Sequence, residues 1–561
     1  MRGPRYCFLL VLAGLAASCH PSATSTPADV PPPWFRDVTV QCGIDFLHDA
    51  GPTGRYFLPQ VMGSGAALFD FDGDGRLDIY LVQNGGPDSK SVNRLYHQEK
   101  DGHFTDVTAG SGLGVAGHGM GVAIGDVNND GRPDVLLTGY GGLRLFLNNG
   151  DGTFTDITRQ SGLDSSLWGT SAAFFDYDRD GWLDLVVVNY VDYDSSRECS
   201  QGSGRRDFCN PNQFTGTVTH LFHNLGPGQD GAVRFRDVTL ASGLGRKPGP
   251  GLGVVCADFD GDGWPDVLVA NDARPNHLWI NQKDGTFKEE AVQRGIAADA
   301  MGRAQAGMGI AVGDVDGDGL FDIFVTHLTE ESQTLWKQAP RGQFRDRTVA
   351  ARLAGVRGTG FGTVLADFNH DGALDLAIVN GRVSRGRGQG GDDLDPFWRP
   401  YAERNQLFAG DGTGRFRDLS AADPFGRPAA VSRGLACGDL DGDGALDLLV
   451  TTVAGPARLY KNVAPKEGHW LIVRAVDPAH RRDAYGAVVT VSAGGRNWVS
   501  AVNPGQSYLC SNDPRVHFGL GAAGHVDSIR VRWPDGDLAE EVFAGGAADR
   551  VIVLRRGEGR R

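Results

Sequence analysis

The stretch DFDGDGWPD, Asp258 to Asp266, has the residue types and spacing of a loop that wraps a hard cation. Side chains at its positions 1, 3, 5 and 9 (Asp258, Asp260, Asp262, Asp266) offer carboxylate oxygens, and the carbonyl of Trp264 at position 7 adds another. Gly263 at position 6 permits the turn that gathers them. Calcium suits such an oxygen set. An EF-hand loop would end three positions later on glutamate, whereas here an aspartate at position 9 takes that role. The pattern recurs six more times: Asp70, Asp72, Asp74 and Asp78; Asp126, Asn128, Asp130 and Asp134; Asp176, Asp178, Asp180 and Asp184; Asp314, Asp316, Asp318 and Asp322; Asp367, Asn369, Asp371 and Asp375; Asp439, Asp441, Asp443 and Asp447. Asn128 and Asn369 are neutral oxygen donors, which weaken a site without abolishing it. Seven copies in register exceed a set of solvating Asx turns, because clustered carboxylates without a cation repel one another. Up to seven Ca2+ ions are expected.

The elements that position these loops are short strands. A small-residue and hydrophobic run enters each loop, as in GMGVAIG (Gly119 to Gly125), and another leaves it, as in DVLLTG (Asp134 to Gly139). A third strand carries Leu and an aromatic, as at Leu278-Trp279, and a fourth of Phe-x-Asp type follows a DG turn, as in DGTFTDIT (Asp151 to Thr158). Glycine, 82 of 561 residues, suits such tight turns. Four strands per unit and seven units predict an all-β chain, a seven-bladed β-propeller over residues 34–465. The seventh unit, ending near Asn462, lacks a fourth strand. WFRDVT, Trp34 to Thr39, matches FTDVT, Phe104 to Thr108, and is expected to supply it, closing the ring with the N-terminal strand. Hairpin geometry puts the loops and DG turns on one face and two long insertions, about Tyr190–Thr219 and Gly381–Arg404, on the other. Residues 466–561 lack the repeat and alternate as short strands, predicting a small separate β domain.

Residues 1–18 read as an export signal, with Arg2 and Arg5 before an apolar run too short to span a membrane. LAASC resembles a bacterial lipoprotein cleavage box with Cys19 as the lipid-bearing residue, and 19–33, rich in Ser, Thr and Pro, then form a tether. Cys199 and Cys209 lie ten positions apart in a hydrophilic stretch of an exported chain, which favours a disulfide. Cys256 and Cys437 sit in apolar runs and are expected to be buried thiols. The formal charge of −15 is concentrated in the loops, so the acidity does not argue for a basic partner or for nucleic acid. The membrane is reached only through the lipid, and a monomer is expected.

Two features together resemble a known family: DxDxDG loops of FG-GAP type, and a tail reading YGAVVTV (Tyr485 to Val491), RVHFGLG (Arg515 to Gly521) and VRWPDG (Val531 to Gly536), similar to the ASPIC/UnbV domain. The chain from 34 to 556 resembles the bacterial branch of the cartilage acidic protein family, including NYVDYD (Asn189 to Asp194) before the cysteine pair. The resemblance implies an integrin-α-like seven-bladed propeller with bound calcium, exported, with adhesive or matrix-associated roles.

Fourteen histidines show no HExxH spacing, and no GxSxG, Walker-type or CxxC arrangement occurs. His48, His118 and His327 fall near expected connections. The reading is therefore a non-catalytic, calcium-stabilised extracellular binding scaffold, with a propeller-type polysaccharide lyase as the alternative. On the face opposite the loops, Arg55, Arg246, Lys247, Arg303, Arg357 and Arg433 are expected to create a positive surface, with Trp168 and Trp398 as ligand platforms for an extracellular glycan or protein of anionic character.

Overall fold

The computed structural model describes residues 32–200, 204–390, 394–534 and 540–560, with Met1 and Gly3; Cys19 and nearly all of the expected signal and tether lie outside the described residues. Each repeat is a four-stranded antiparallel meander, for example Ala66–Phe69, Asp78–Leu81, Arg94–Gln98 and Phe104–Asp106. Seven such sheets are present among the described residues. Their first two strands are buried on both faces, which is why they read as continuous aliphatic runs rather than as an alternation. In the last sheet the fourth strand is Phe35–Asp37, paired antiparallel with Tyr460–Asn462 as the sequence predicts. Phe35 is fully buried against Phe368 and Phe425, and Asp423 accepts from the Trp34 and Phe35 backbone N–H groups at 2.6 and 3.2 Å. Both insertions connect second to third strands.

The first strands pack each against the next, from Ala66–Phe69 through Gly119–Gly125, Gly169–Phe175, Gly251–Ala257, Ile310–Gly313 and Gly360–Ala366 to Ser432–Gly438, and this last packs against Ala66–Phe69. Hydroxyls cross several of these junctions: Ser64 Oγ donates to Gly119 O, Thr170 Oγ1 to Gly251 O, Thr326 Oγ1 to Phe361 O and Thr451 Oγ1 to Ser64 O.

The tail forms two four-stranded sheets, one built on His469–Asp477 and the other on Val488–Ala493 and His525–Arg532. Pro33–Arg561 is one compact unit, and the tail lies on the loop side of the repeats. Between its sheets, residues 503–512 run among the first strands and hydrogen-bond to every one of the seven. Ser511 N donates to Ala66 O, Val122 N to Leu509 O, Leu509 N to Ser171 Oγ and Asn503 Nδ2 to Cys256 O. Ser507 N donates to Ile310 O, Thr363 N to Ser507 Oγ and Cys437 N to Asn512 Oδ1. Tyr508, fully buried, reaches through to donate to Met62 O at 3.3 Å and lies 4.8 Å from the Phe361 ring. The sequence reading did not anticipate this inserted segment.

Close approach explains a glycine here. A Cβ at Gly65 would sit 1.8 Å from the Leu509 carbonyl oxygen. Gly65→Ala is expected to cost about 3 kcal/mol, the upper part of the range for overpacking, and to loosen the tail. Chemical denaturation with limited proteolysis checks this; a variant as stable and as protease-resistant as the parent would refute the insertion.

Candidate metal centres and the opposite face

Every loop is held from its two ends by aspartate. The position 1 carboxylate caps the turn: Asp70 accepts from the N–H groups of Gly73, Asp74 and Gly75 at 2.8–3.0 Å, and Asp314 accepts equivalently from Gly317, Asp318 and Gly319. The position 9 carboxylate is buried and ties the loop to the third strand. Asp78 accepts from Phe71 N and Gln98 N, Asp134 from Val127 N and Asn148 N, Asp266 from Phe259 N and Asn281 N, and Asp375 from Phe368 N and Gly410 N. Asp184, Asp322 and Asp447 repeat the arrangement. The third-strand amide then reaches the neighbouring loop at its position 2 carbonyl. Asn148 bonds Phe71 O, Asn224 bonds Val127 O, Asn281 bonds Tyr177 O, Asn462 bonds Phe368 O and Gln98 bonds Leu440 O, at 2.7–3.0 Å. These amides were missed from the sequence, although an Asn or Gln 14 to 40 residues beyond position 9 in six of seven repeats was a readable signal.

The oxygens of Asp70, Asp72 and Asp74, of Asp176, Asp178 and Asp184, and of Asp258, Asp260 and Asp262 come within 4.8 Å of one another in each group. Asp176, Asp178 and Asp316 each keep a buried oxygen without a hydrogen-bond partner. This donor set fits a hard cation. The loops are not equivalent, because basic side chains from the third strand, from residues after it or from the tail enter some of them. His97 Nδ1 lies 3.4 and 3.2 Å from Asp72 and Asp78, and His223 Nδ1 3.3 and 3.1 Å from Asp178 and Asp184. Lys337 contacts Asp316 and Asp318, Lys461 contacts Asp441 and Asp443, and in the fourth loop Lys283, Arg294 and Arg532 meet Asp262, Asp260 and Asp258. The tail covers this side through position 6 carbonyls: Arg482 donates to Gly181 O, Trp498 Nε1 to Gly372 O, and His517 Nε2 lies 2.9 Å from Gly444 O.

Loss of water, only partly offset by backbone donors, raises the carboxyls. Asp176 and Asp322 are pushed up to about 7 and Asp184 to about 8, and Asp78 and Asp367 move in the same direction.

On the opposite face the structure corrects three expectations. Trp168 is 3% exposed and boxed by Tyr140, Tyr190 and Tyr193, and Trp398 is 1% exposed and stacked on Phe208, so neither is a ligand platform. The two insertions and residues 56–62 bury their aromatics in one another and form a core of their own. Arg433 is fully buried inside the strand Ser432–Gly438. It donates to the carbonyls of Val61, Gly381 and Ser432 and lies 3.9 Å over the Phe361 ring, a clamp rather than a surface charge. Lys247 pairs with Glu289, Arg303 is exposed but paired with Asp299, and Arg55, Arg246 and Arg357 are exposed. Cys199 and Cys209 form the expected disulfide, with Cα atoms 5.0 Å apart, and Cys256 and Cys437 are buried free thiols.

The repeats match the FG-GAP-like repeat family over residues 70–137, 126–187, 258–325, 314–378 and 392–450, and the tail matches ASPIC and UnbV over 477–561. The chain is thus an all-β FG-GAP-repeat protein with a C-terminal ASPIC/UnbV domain. It is 25% identical over 524 residues to cartilage acidic protein 1 of Xenopus tropicalis, covering 88% of this chain and 74% of that protein. With the human protein of that name it shares 26% identity over 333 residues, 58% of this chain and about half (47%) of the human one. The chain belongs to the cartilage acidic protein family. Among solved structures, a lectin of Agrocybe aegerita that recognises non-reducing terminal N-acetylglucosamine is 15% identical, covering 70% of this chain and 86% of that one, with a TM-score of 0.39. An exotype rhamnogalacturonan lyase is 14% identical, covering 72% of each chain, with a TM-score of 0.36. Likeness at that level carries no functional argument.

The raised carboxyls set a pH dependence for the metal-free protein. Their folded values exceed the ordinary carboxyl value of 3.8, so the stability they contribute is present at low pH and is lost as pH rises through about 7 to 8. His48, His277 and His327, depressed by burial to about 4, are already neutral above pH 6.5 and do not oppose this trend. In chelator the melting temperature is expected to fall between pH 6.5 and 8.5, and excess calcium to flatten the slope. A chelated protein that is equally or more stable at pH 8.5 would contradict the burial argument.

Proposed function

We propose that the seven sheets are the blades of one closed propeller, that its loops take calcium, and that the protein is a non-catalytic extracellular binding scaffold. A ring is supported by residues 503–512, which reach the first strand of all seven sheets and can do so only if those strands surround them. The observation that carries the calcium reading is the set of converging loop oxygens, several buried and without partners. A bound ion would supply the positive charge that these carboxylates otherwise share with a few side chains. The protein's own residues would hold it through positions 1, 3, 5 and 9. Loops entered by Lys337 and Lys461 would bind more weakly, since an ammonium must move aside. Export is supported by the Cys199–Cys209 disulfide, a bond typical of oxidising compartments. Cys19 would then anchor a monomeric protein to the cell envelope. His48 and His118, which the lyase alternative would draw on, are engaged with Ser64 Oγ and Asn84 O, and His327 is buried, so no specific observation favours that reading.

Millimolar Ca2+ is expected to raise the melting temperature well above that in chelator, because each occupied site adds RT ln(1+[L]/Kd). Isothermal titration should find fewer than seven tight sites, rising when Lys337 and Lys461 are changed to Met. An unchanged melting temperature would end the calcium reading. The exposed Arg55, Arg246 and Arg357 are assigned to an anionic glycan or protein partner, with affinity that falls as salt rises. Changing the three to Ser should reduce retention on an anionic polysaccharide column in calcium buffer; undiminished retention of the folded variant would exclude this surface.

A further inference from the structure

On the face opposite the loops, the insertions and the ends of the first strands enclose a cavity of about 370 Å3. Its apolar wall is made by Met62, Met308, Phe361 and Leu328, and Asp272 and Tyr190 stand among its polar lining. Tyr190, 1% exposed, donates its hydroxyl to Asp272 Oδ2 at 2.5 Å. The other Asp272 oxygen has no hydrogen-bond donor among the described residues, and Asp272 forms no ion pair with any of them.

The nearby guanidinium groups are already committed. Arg382, which lines the same cavity, is held by Glu330 at 2.5 Å and Glu403 at 3.3 Å. Arg274 donates to Asn212 Oδ1 and to the Ala273 carbonyl. Asp272 is therefore a half-buried carboxylate with one hydroxyl donor and no ion pair among the described residues, felt by Arg274 only through space. Burial pushes its carboxyl up to about 6, against the pull of the tyrosine, so it is still ionised at neutral pH. A partly desolvated carboxylate without an ion pair, at the edge of an apolar cavity, attracts a cation that can enter it. Glu330 at the same cavity adds negative potential, which disfavours an anion.

We propose that this cavity is a binding site for an organic amine, with the protonated nitrogen on the free oxygen of Asp272 and an apolar body against Met62, Met308 and Phe361. The polarizable, unbranched methionines suit a ligand body of variable shape. The site is separate from the loops and from the exposed arginines, so it stands or falls independently of the calcium and anionic-partner readings.

The test is calorimetry in calcium buffer with three probes of nearly equal shape: phenethylammonium, 2-phenylethanol and 3-phenylpropanoate. The ammonium is expected to bind at least about tenfold more tightly than the alcohol, a difference of roughly 1.4 kcal/mol, and the carboxylate not to bind. Asp272→Asn, which keeps the shape and an acceptor for Tyr190, should remove the preference while melting like the parent. Tyr190→Phe, which leaves the carboxylate without its donor, should retain it. Equal binding of ammonium and alcohol by the parent, or no binding of the ammonium at 10 millimolar, would overturn the proposal on the unmodified protein, whatever the variants do. Undiminished ammonium preference in a folded Asp272→Asn would overturn it equally.

Discussion

A carboxylate taken out of water must be given donors, and the aspartate at position 9 of each loop meets that demand with two backbone N–H groups, one from its own loop and one from a strand. One donor is at position 2 of its own loop and the other is on the third strand, so a single side chain fixes both the loop's exit and the sheet's register. The third-strand amide at the second donor's residue then reaches the preceding loop, and Gln98 carries this link from the first repeat to the seventh at Leu440. The fifth and sixth repeats lack the link: Gln338 turns back to Phe321 O in its own loop, and Gly410 has no side chain. The ligand set of the candidate metal centre is thus also the frame of the sheets. Substitution at Asp78 or Asp134 would confound metal binding with folding, whereas exposed ligands such as Asp74 would not.

What the sequence made legible was whatever repeats. The loops, the four strands per unit and the completion of the last sheet by Phe35–Asp37 all follow from period and from the likeness of WFRDVT to FTDVT. Residues 503–512 have no period, and their partners lie from about 70 to more than 400 residues away, so no local pattern could place them. Yet the strands carried a trace of them. A small residue at or just before each first strand, Gly65, Gly121, Ser171, Gly253, Gly309, Gly362 and Gly434, faces the inner side, and at the six glycines a Cβ would meet neighbouring atoms at 3.0 Å or less. Gly434 would direct a Cβ to 2.7 Å from Cys510 Sγ, and Gly253 to 2.1 Å from Met308 O. Strands converging on one segment leave little room for side chains there, and the one that is kept, Ser171, accepts a hydrogen bond from Leu509 N.

Departure from the repeat proved a poor guide to exposure. Trp168 and Trp398 interrupt the pattern because they belong to a second core, built by the insertions and stapled by Cys199–Cys209, with Tyr190, Phe208 and Tyr401 filling it. Arg433 reads as a connection residue only if the strand is begun one turn too late. Within Ser432–Gly438 it lies on the inner side, where the carbonyls of Val61 and Gly381 replace its water. Sequence assigns a charged residue to the surface by default, and only the donor count of a guanidinium explains why this one is tolerated inside.

The two faces consequently differ in kind. On the loop side the tail takes up backbone carbonyls at position 6 of several loops, so these turns are bonded to Arg482, Trp498 and His517 and not to an external partner. Those bonds depend on the loop holding its turn, which the position 1 aspartate enforces from within, as Asp176 does for Gly181 N and Asp367 for Gly372 N. Any cation that steadies the position 1 carboxylate therefore also steadies the seat of the tail, and through the tail the segment that runs among the first strands. On the opposite side the insertions pack on each other yet leave a cavity lined by Asp272, a half-buried carboxylate without an ion pair among the described residues. Rigidity is concentrated where the carboxylates are many and capacity for recognition where a carboxylate stands alone.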